Sequence, residues 1–251
     1  MISQSSGPRS RRPDGRQNDE LRPVTFTLDY VDYPEGSVLV RMGETRVLCT
    51  ASLQREVPEW LEGRGSGWLT ATYAMLPGST HTRRPRETEG LGGRTQEIRR
   101  LIGRSLRAAL DLTTLGERML VVDCDVLQAD GGTRTASVTG GYVAVALAVR
   151  RLAARGIISP HVLIDPVAAV SAGVVSGDVR LDLCYEEDRD AEVDLNLVGT
   201  AEGRLIEVQG TAEGSPFSRD TLDDILDLGQ RSIQRLLRQQ EEALERHPVG
   251  G

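Results

Sequence analysis

The sequence predicts an α+β fold with mixed sheets. Three observations carry this: a group of strand-like runs, then helices, then a second strand group with a closing helix; a 39% hydrophobic content spread along 251 residues; and glycine-rich turns at the strand-to-helix junctions. Apolar segments recur from Val24 to Leu237, which excludes a chain disordered throughout. Residues 1–22 read as a polar, arginine-rich arm, residues 23–246 as a single domain and residues 247–251 as a tail.

Each element has a local reason. Val24–Tyr30, Ser37–Met42, Thr45–Leu53 and Gly67–Met75 alternate with period two and are rich in β-branched residues, as half-buried strands are. Residues 76–93 contain two Pro, four Gly and three Arg without apolar periodicity, so a mobile loop is expected. A helix is expected from Thr95, with Ile98, Leu101, Ile102 and Leu106 on one stripe. Leu120–Leu127 reads as a buried strand, and QADGGTRT turns into a long helix of small residues that lets neighbours approach closely. Val167–Val175, Val179–Tyr185, Val193–Val198 and Arg204–Gly210 form the second strand group. An amphipathic helix runs from Ser218 to about Arg246, its early Asp and late Arg matching the helix dipole.

Composition narrows the chemistry. All 30 basic residues are arginine, which excludes a Schiff-base lysine and a phosphate-loop lysine. The three histidines, His81, His161 and His247, form no recognisable motif, and Cys49, Cys124 and Cys184 lie far apart in apolar stretches as buried free thiols. No apolar run reaches the length of a membrane span and the polar start lacks a signal-peptide core, so a soluble cytoplasmic protein is expected. Residues 1–110 carry 17 Arg against 13 acids, a balance of +4, and residues 111–251 carry 13 Arg against 24 acids, a balance of −11. Such asymmetry points to a polyanion near one end and a divalent cation near the other, unless it is scattered surface charge.

Three segments concentrate the candidate chemistry. In QADGGTRTASVTG (128–140) the glycine pair lets consecutive amides converge on an anion ahead of a helix N-terminus, with Thr133 as a hydroxyl donor and Arg134 as a planar fork; the bland alternative is a tight turn capped by Thr. GGRTQEIRRLIGR (92–104) repeats the design, placing Arg94 at a helix start, where a cation is unfavourable without an anion or a partner such as Glu97. LDLCYEEDRDAEVDLNL (181–197) reads as a β-hairpin turning near Arg189–Ala191. Asp188 then opposes Glu192 or Asp194, and in either register Asp188 and Asp194 share a face suited to Mg²⁺, with Asp182 ranked third. Otherwise the segment is a solvated acidic tip. Arg83, Arg84 and Arg86 in the loop are expected to touch a polyanion backbone, and Arg99, Arg100, Arg104 and Arg107 to serve salt bridges or a subunit interface.

The stretches RPDGRQNDELRP, PEGSVLVRMGETRVLCTAS, GRTQEIRRLIGRSLRA, DCDVLQADGGTRTASVTG, LDLCYEEDRDAEVDLN and EVQGTAEGSPFSR together resemble the ribonuclease PH (tRNA nucleotidyltransferase) family over nearly the whole chain after the first dozen residues. The resemblance implies two βαβ-type halves of a ribosomal-protein-like fold, assembling as a homohexameric ring, a trimer of dimers. It implies phosphate-dependent 3′-to-5′ removal of nucleotides from tRNA precursors and other RNAs such as rRNA, with release of nucleoside diphosphates and a reverse reaction that extends 3′ ends. Inorganic phosphate is then the co-substrate, bound by Arg94, Gly132, Thr133 and Arg134, and Mg²⁺ is held by Asp188 and Asp194, although Asp182 and Asp188 share the same spacing. A non-catalytic RNA-binding ring subunit of the same family is the alternative.

Overall fold

The computed structural model describes residues 11–88 and 90–247; the first ten residues of the expected arm and all but the first residue of the tail lie outside that range. The first sheet contains β1 (Val24–Leu28), β2 (Gly36–Met42), β3 (Thr45–Gln54), β4 (Trp68–Met75) and β5 (Met119–Gln128), in the order β1-β2-β3-β5-β4. It is mixed: β4 runs parallel to β5 and every other pairing is antiparallel. The parallel pair needs a crossover, supplied by α1 (Gly93–Arg107) and the short α2 (Leu112–Leu115). The α2 turn was not expected from periodicity; Asp111 caps it through the amides of Thr113 and Thr114.

The second sheet has β6 (Val167–Val175), β7 (Asp178–Leu181), β8 (Val193–Thr200) and β9 (Leu205–Ala212) in the order β7-β6-β8-β9, antiparallel throughout. Between the sheets lies α3 (Thr133–Ala154), buried over most of its length. The small-residue expectation holds here: a Cβ added to Gly140 would lie 2.5 Å from Val40 Cγ1, so glycine allows α3 to settle on β2. On α1, Ile98, Leu101, Ile102 and Leu106 are fully or almost fully buried, and truncating Leu106 to Ala would cost about 2–5 kcal/mol. The closing helix α5 (Arg219–Glu245) lays Ile225, Ile233, Leu236 and Leu237 against the second sheet, with Ser218 capping the amide of Thr221.

The expected hairpin at 181–197 is not formed. β7 ends at Leu181, because Asp182 takes a left-handed backbone (φ +50°) and buries its carboxylate. The chain then makes one helical turn, α4 (Tyr185–Arg189), before β8 begins at Val193. The Glu187 carboxylate accepts from the Cys184 amide, closing a capping box around that turn. Asp188 therefore sits on a helix and Asp194 on a strand, and neither hairpin register exists. Asp194 is instead paired with Gly173 and Thr211.

Candidate active site

The helix start, the α4 turn and β8 meet at a cavity of about 190 Å³ between the two sheets. Arg84, Arg94, Gly132, Thr133 and Arg134 line it from the chain before β6, and Ser171, Asp188, Asp194 and Asn196 from β6 onward. Thus the two candidate anion-binding segments and the acidic segment share one space, although Arg94 and Asp194 stand 100 residues apart in sequence.

The glycine pair has the backbone its sequence requires. Gly131 and Gly132 adopt φ +73° and +64°, values that let the loop fold back ahead of α3. Thr133 opens the helix, its hydroxyl 2.8 Å from the buried Tyr73 hydroxyl. When Tyr73 donates, Thr133 keeps its own hydrogen for a ligand. Burial pushes the Tyr73 phenol up, with the Thr133 bond and the charges of Arg94 and Arg134 pulling against it, so Tyr73 remains a donor. Tyr73 was not singled out in the sequence; its place at the end of an alternating strand looked like core.

Arg134 is held from two sides, by Gln209 Oε1 at 3.3 Å and Glu97 Oε1 at 3.5 Å. Glu97, the alternative partner considered for Arg94, pairs instead with Arg134, because α1 presents it across to the start of α3. Arg94 stands exposed in the first turn of α1 and forms no ion pair among the described residues. A cation at a helix N-terminus without a carboxylate is arranged for an external anion.

Asp188 lies open at the cavity rim, where desolvation by the surrounding walls raises its pKa against the pull of Arg94 and Arg134. Asp194 is half-buried; desolvation and then the charge of Asp188 push its pKa up to about 6. Its Oδ1 is buried without a hydrogen-bond partner among the described residues. Two carboxylates that repel each other, one with an orphaned oxygen, fit a hard divalent cation in their donor chemistry. No group of three or more His, Cys, Asp and Glu side chains is arranged as a metal cage among the described residues, so such an ion would draw its remaining ligands from solvent or substrate.

Asp182 does not join this pair. It is fully buried and bound to Arg22, whose Nη2 donates to Oδ1 at 2.6 Å and whose Nε donates to Oδ2 at 3.0 Å. Arg22 also donates to the carbonyl oxygens of Asp130 and Gly131. Arg12 grips Glu187 with Nε and Nη2 at 2.8 and 2.7 Å and reaches the carbonyls of Leu181 and Asp182. Arg16 donates to the Asp182 carbonyl at 3.0 Å. These three arginines, expected to belong to a polar arm, thus pack into the wall behind the site. Their sequence could not reveal this, because arginine on a tail and arginine in an ion pair look alike there.

The loop arginines divide. Arg84 reaches the main cavity, Arg86 lines an adjoining recess with Arg94 and Thr95, and Arg83 is exposed outside both. On α1, Arg104 pairs with Glu207 at 2.7 Å, Arg107 stacks 4.4 Å over Trp68, and Arg99 donates to the Ala71 carbonyl. Of the four, Arg100 is exposed and has no ion-pair partner among the described residues.

Residues 20–150 match the model of the 3′ exoribonuclease family, domain 1, and residues 165–232 match domain 2 of the same family. The chain is 59% identical over 239 residues to ribonuclease PH of Mycobacterium sp. (strain KMS), covering 94% of this chain and 92% of the relative. Over the same shares it is 58% identical to ribonuclease PH of Mycolicibacterium smegmatis. Among solved structures it is similar to rice Rrp46, with a TM-score of 0.76 and 19% identity over 93% of this chain and 100% of that one. It is also similar to the Archaeoglobus fulgidus exosome with RNA bound to the active site, with a TM-score of 0.76 and 22% identity over 90% and 91% of the two chains. At those identities the likeness is one of fold.

Proposed function

Since the chain belongs to the 3′ exoribonuclease family of ribonuclease PH, we propose that its cavity performs phosphorolysis at RNA 3′ ends. The protein is a phosphate-dependent 3′-to-5′ exoribonuclease, a nucleotidyltransferase that trims tRNA precursors and releases nucleoside diphosphates. The observation that carries this reading is the convergence of Arg94, Arg134 and the Gly132–Thr133 loop with Asp188 and Asp194 in one cavity.

Phosphate enters as the nucleophile. Arg94 and Arg134 offer forked donors to its oxygens, the Thr133 hydroxyl adds another, and Gly132 at the cap of α3 lines the same space. Glu97 and Gln209 keep Arg134 from swinging, so the anion is oriented rather than only attracted. A phosphate oxygen attacks the terminal phosphorus in line; the bond to the preceding 3′ oxygen breaks, and that oxygen takes up a proton. Asp188 and Asp194 would hold Mg²⁺, which would neutralise charge on the scissile phosphate. Because a phosphodiester is exchanged for a phosphoanhydride, the reaction runs in reverse with nucleoside diphosphates and extends 3′ ends.

The arginines of the 76–93 loop contact RNA, Arg84 inside the cavity and Arg83 and Arg86 further along the strand. Residues 23–246 act as one catalytic unit, because neither half alone lines the cavity. The active species is a homohexameric ring, a trimer of dimers, in which Arg99 and Arg100 meet acids of a neighbouring copy. Its work on RNA is placed in the cytoplasm; among the described residues no helix is long and apolar enough to cross a membrane. The retained arginines and aspartates weigh against a non-catalytic RNA-binding subunit.

The test is RNA with a free 3′ end, incubated with and without phosphate, with the released nucleotides resolved by charge. Phosphate-dependent diphosphates support the proposal. Monophosphates would mean hydrolysis, and binding without release would mean a non-catalytic subunit.

A further inference from the structure

Tyr185 opens α4 and is 45% exposed, in a chain with only 4% aromatic residues. It lines the main cavity together with Thr80, and the His81 ring lies 6.1 Å away, tilted by 51°. The two rings come from separate elements, the 76–93 loop and α4. The structural duty at this position belongs to the Tyr185 backbone, whose N–H donates to Asp130 Oδ1 at 3.3 Å and would survive any non-proline replacement. The phenolic hydroxyl has no hydrogen-bond partner among the described residues. The side chain is therefore unemployed within the fold, and it faces the cavity.

Position along α4 says what it faces. Tyr185 and Asp188 are three residues apart, so they share one side of the helical turn. A phosphodiester held near Asp188 places the attached terminal nucleoside within reach of the ring. We propose that Tyr185 and His81 form a stacking platform for the 3′-terminal nucleobase of the RNA substrate, a claim that rests on the phosphorolytic reading above. A π face accepts every base, because stacking does not read hydrogen-bonding edges. That suits an enzyme whose next substrate is whatever base the last cycle exposed.

The experiment uses the intact enzyme with Tyr185→Ala, Tyr185→Phe and His81→Ala, and RNAs ending in an ordinary or an abasic 3′ nucleotide. Tyr185→Ala should raise the KM for ordinary RNA about tenfold, the loss expected for one base–aromatic stack, while the KM for phosphate is unchanged. Tyr185→Phe should restore the KM, and His81→Ala should show a smaller rise. On abasic ends wild type and Tyr185→Ala should be equal. Equal losses on both substrates, or no rescue by Phe, would overturn the platform. A 3′-terminal 2-aminopurine, titrated without phosphate, separates this claim from the catalytic one: its fluorescence should be quenched by wild type and not by Tyr185→Ala. Such quenching without diphosphate release would leave the platform standing and remove phosphorolysis. Undiminished quenching by Tyr185→Ala would remove the platform alone.

Discussion

Arg22 and Asp182 are joined by hydrogen bonds from the Arg22 amide, Nε and Nη2, although 160 residues separate them. Because Arg22 also holds the carbonyls of Asp130 and Gly131, the pair ties the glycine loop ahead of α3 to the turn that carries Asp188. Removing one partner leaves an uncompensated buried charge. Arg22→Met or Asp182→Asn should each destabilise the protein by about 3–5 kcal/mol. The double variant should lose less than the sum of the two. Urea unfolding measures all three, and strict additivity would show that the pair does not act as a unit.

Acid should undo the same wall. Burial pushes the Asp182 carboxyl up, but Arg22, helped by Arg16, outweighs this and holds it below the ordinary value. Glu187 is also lowered, burial again opposing and Arg12 prevailing. A carboxylate with a depressed folded pKa contributes stability that is complete above its unfolded pKa, near pH 4, and is lost as pH falls through the folded value. The urea midpoint should change little between about pH 7 and 5 on this account and fall steeply below about pH 4. Asp182→Asn should start lower and decline less steeply. A parallel decline in both proteins would contradict the assignment.

Arg134→Ala removes a charged fork from the proposed phosphate site. The kcat/KM for phosphate should fall roughly 10- to 100-fold, as expected when a charge-assisted hydrogen bond is removed. RNA affinity measured without phosphate should change much less. An equal fall in both would make Arg134 a structural residue.

The loop arginines should separate by substrate. Replacing Arg83 and Arg86 by Ala should weaken structured tRNA precursors and flatten their salt dependence by about 0.7–0.9 for each phosphate no longer neutralised, with little effect on short oligonucleotides. Arg84→Ala, which empties a wall of the cavity, should weaken short substrates too. An unchanged salt slope for tRNA would mean that Arg83 and Arg86 are solvated.

Reversing Arg99 and Arg100 to Glu should break the ring into smaller species that keep their circular-dichroism signal and lose tRNA processing. Arg104 and Arg107 are already answered within the chain by Glu207 and Trp68, so they are poorer targets. Sedimentation of an active unmodified monomer would sink the assembly proposal and leave the phosphate and metal assignments intact.

Local chemistry made much of this protein legible. Val167–Val175 begins and ends where its apolar, valine-rich run does, and Gly131 and Gly132 have the left-handed backbone their pairing requires. Arg94, Thr133, Arg134, Asp188 and Asp194, chosen from the chain alone, line one cavity. Periodicity and turn chemistry act over a few residues, so they are written where they act. Tertiary structure decided the rest. Asp182 and Asp188 have the same six-residue spacing as Asp188 and Asp194, and only the burial of Asp182 against Arg22 removes it from the cavity. The acidic segment alternates like a hairpin, yet the left-handed turn at Asp182 and the Glu187 cap make it a helix. Whether a charge is solvated, paired or left facing a ligand depends on which distant segment folds against it, and no short-range pattern carries that information.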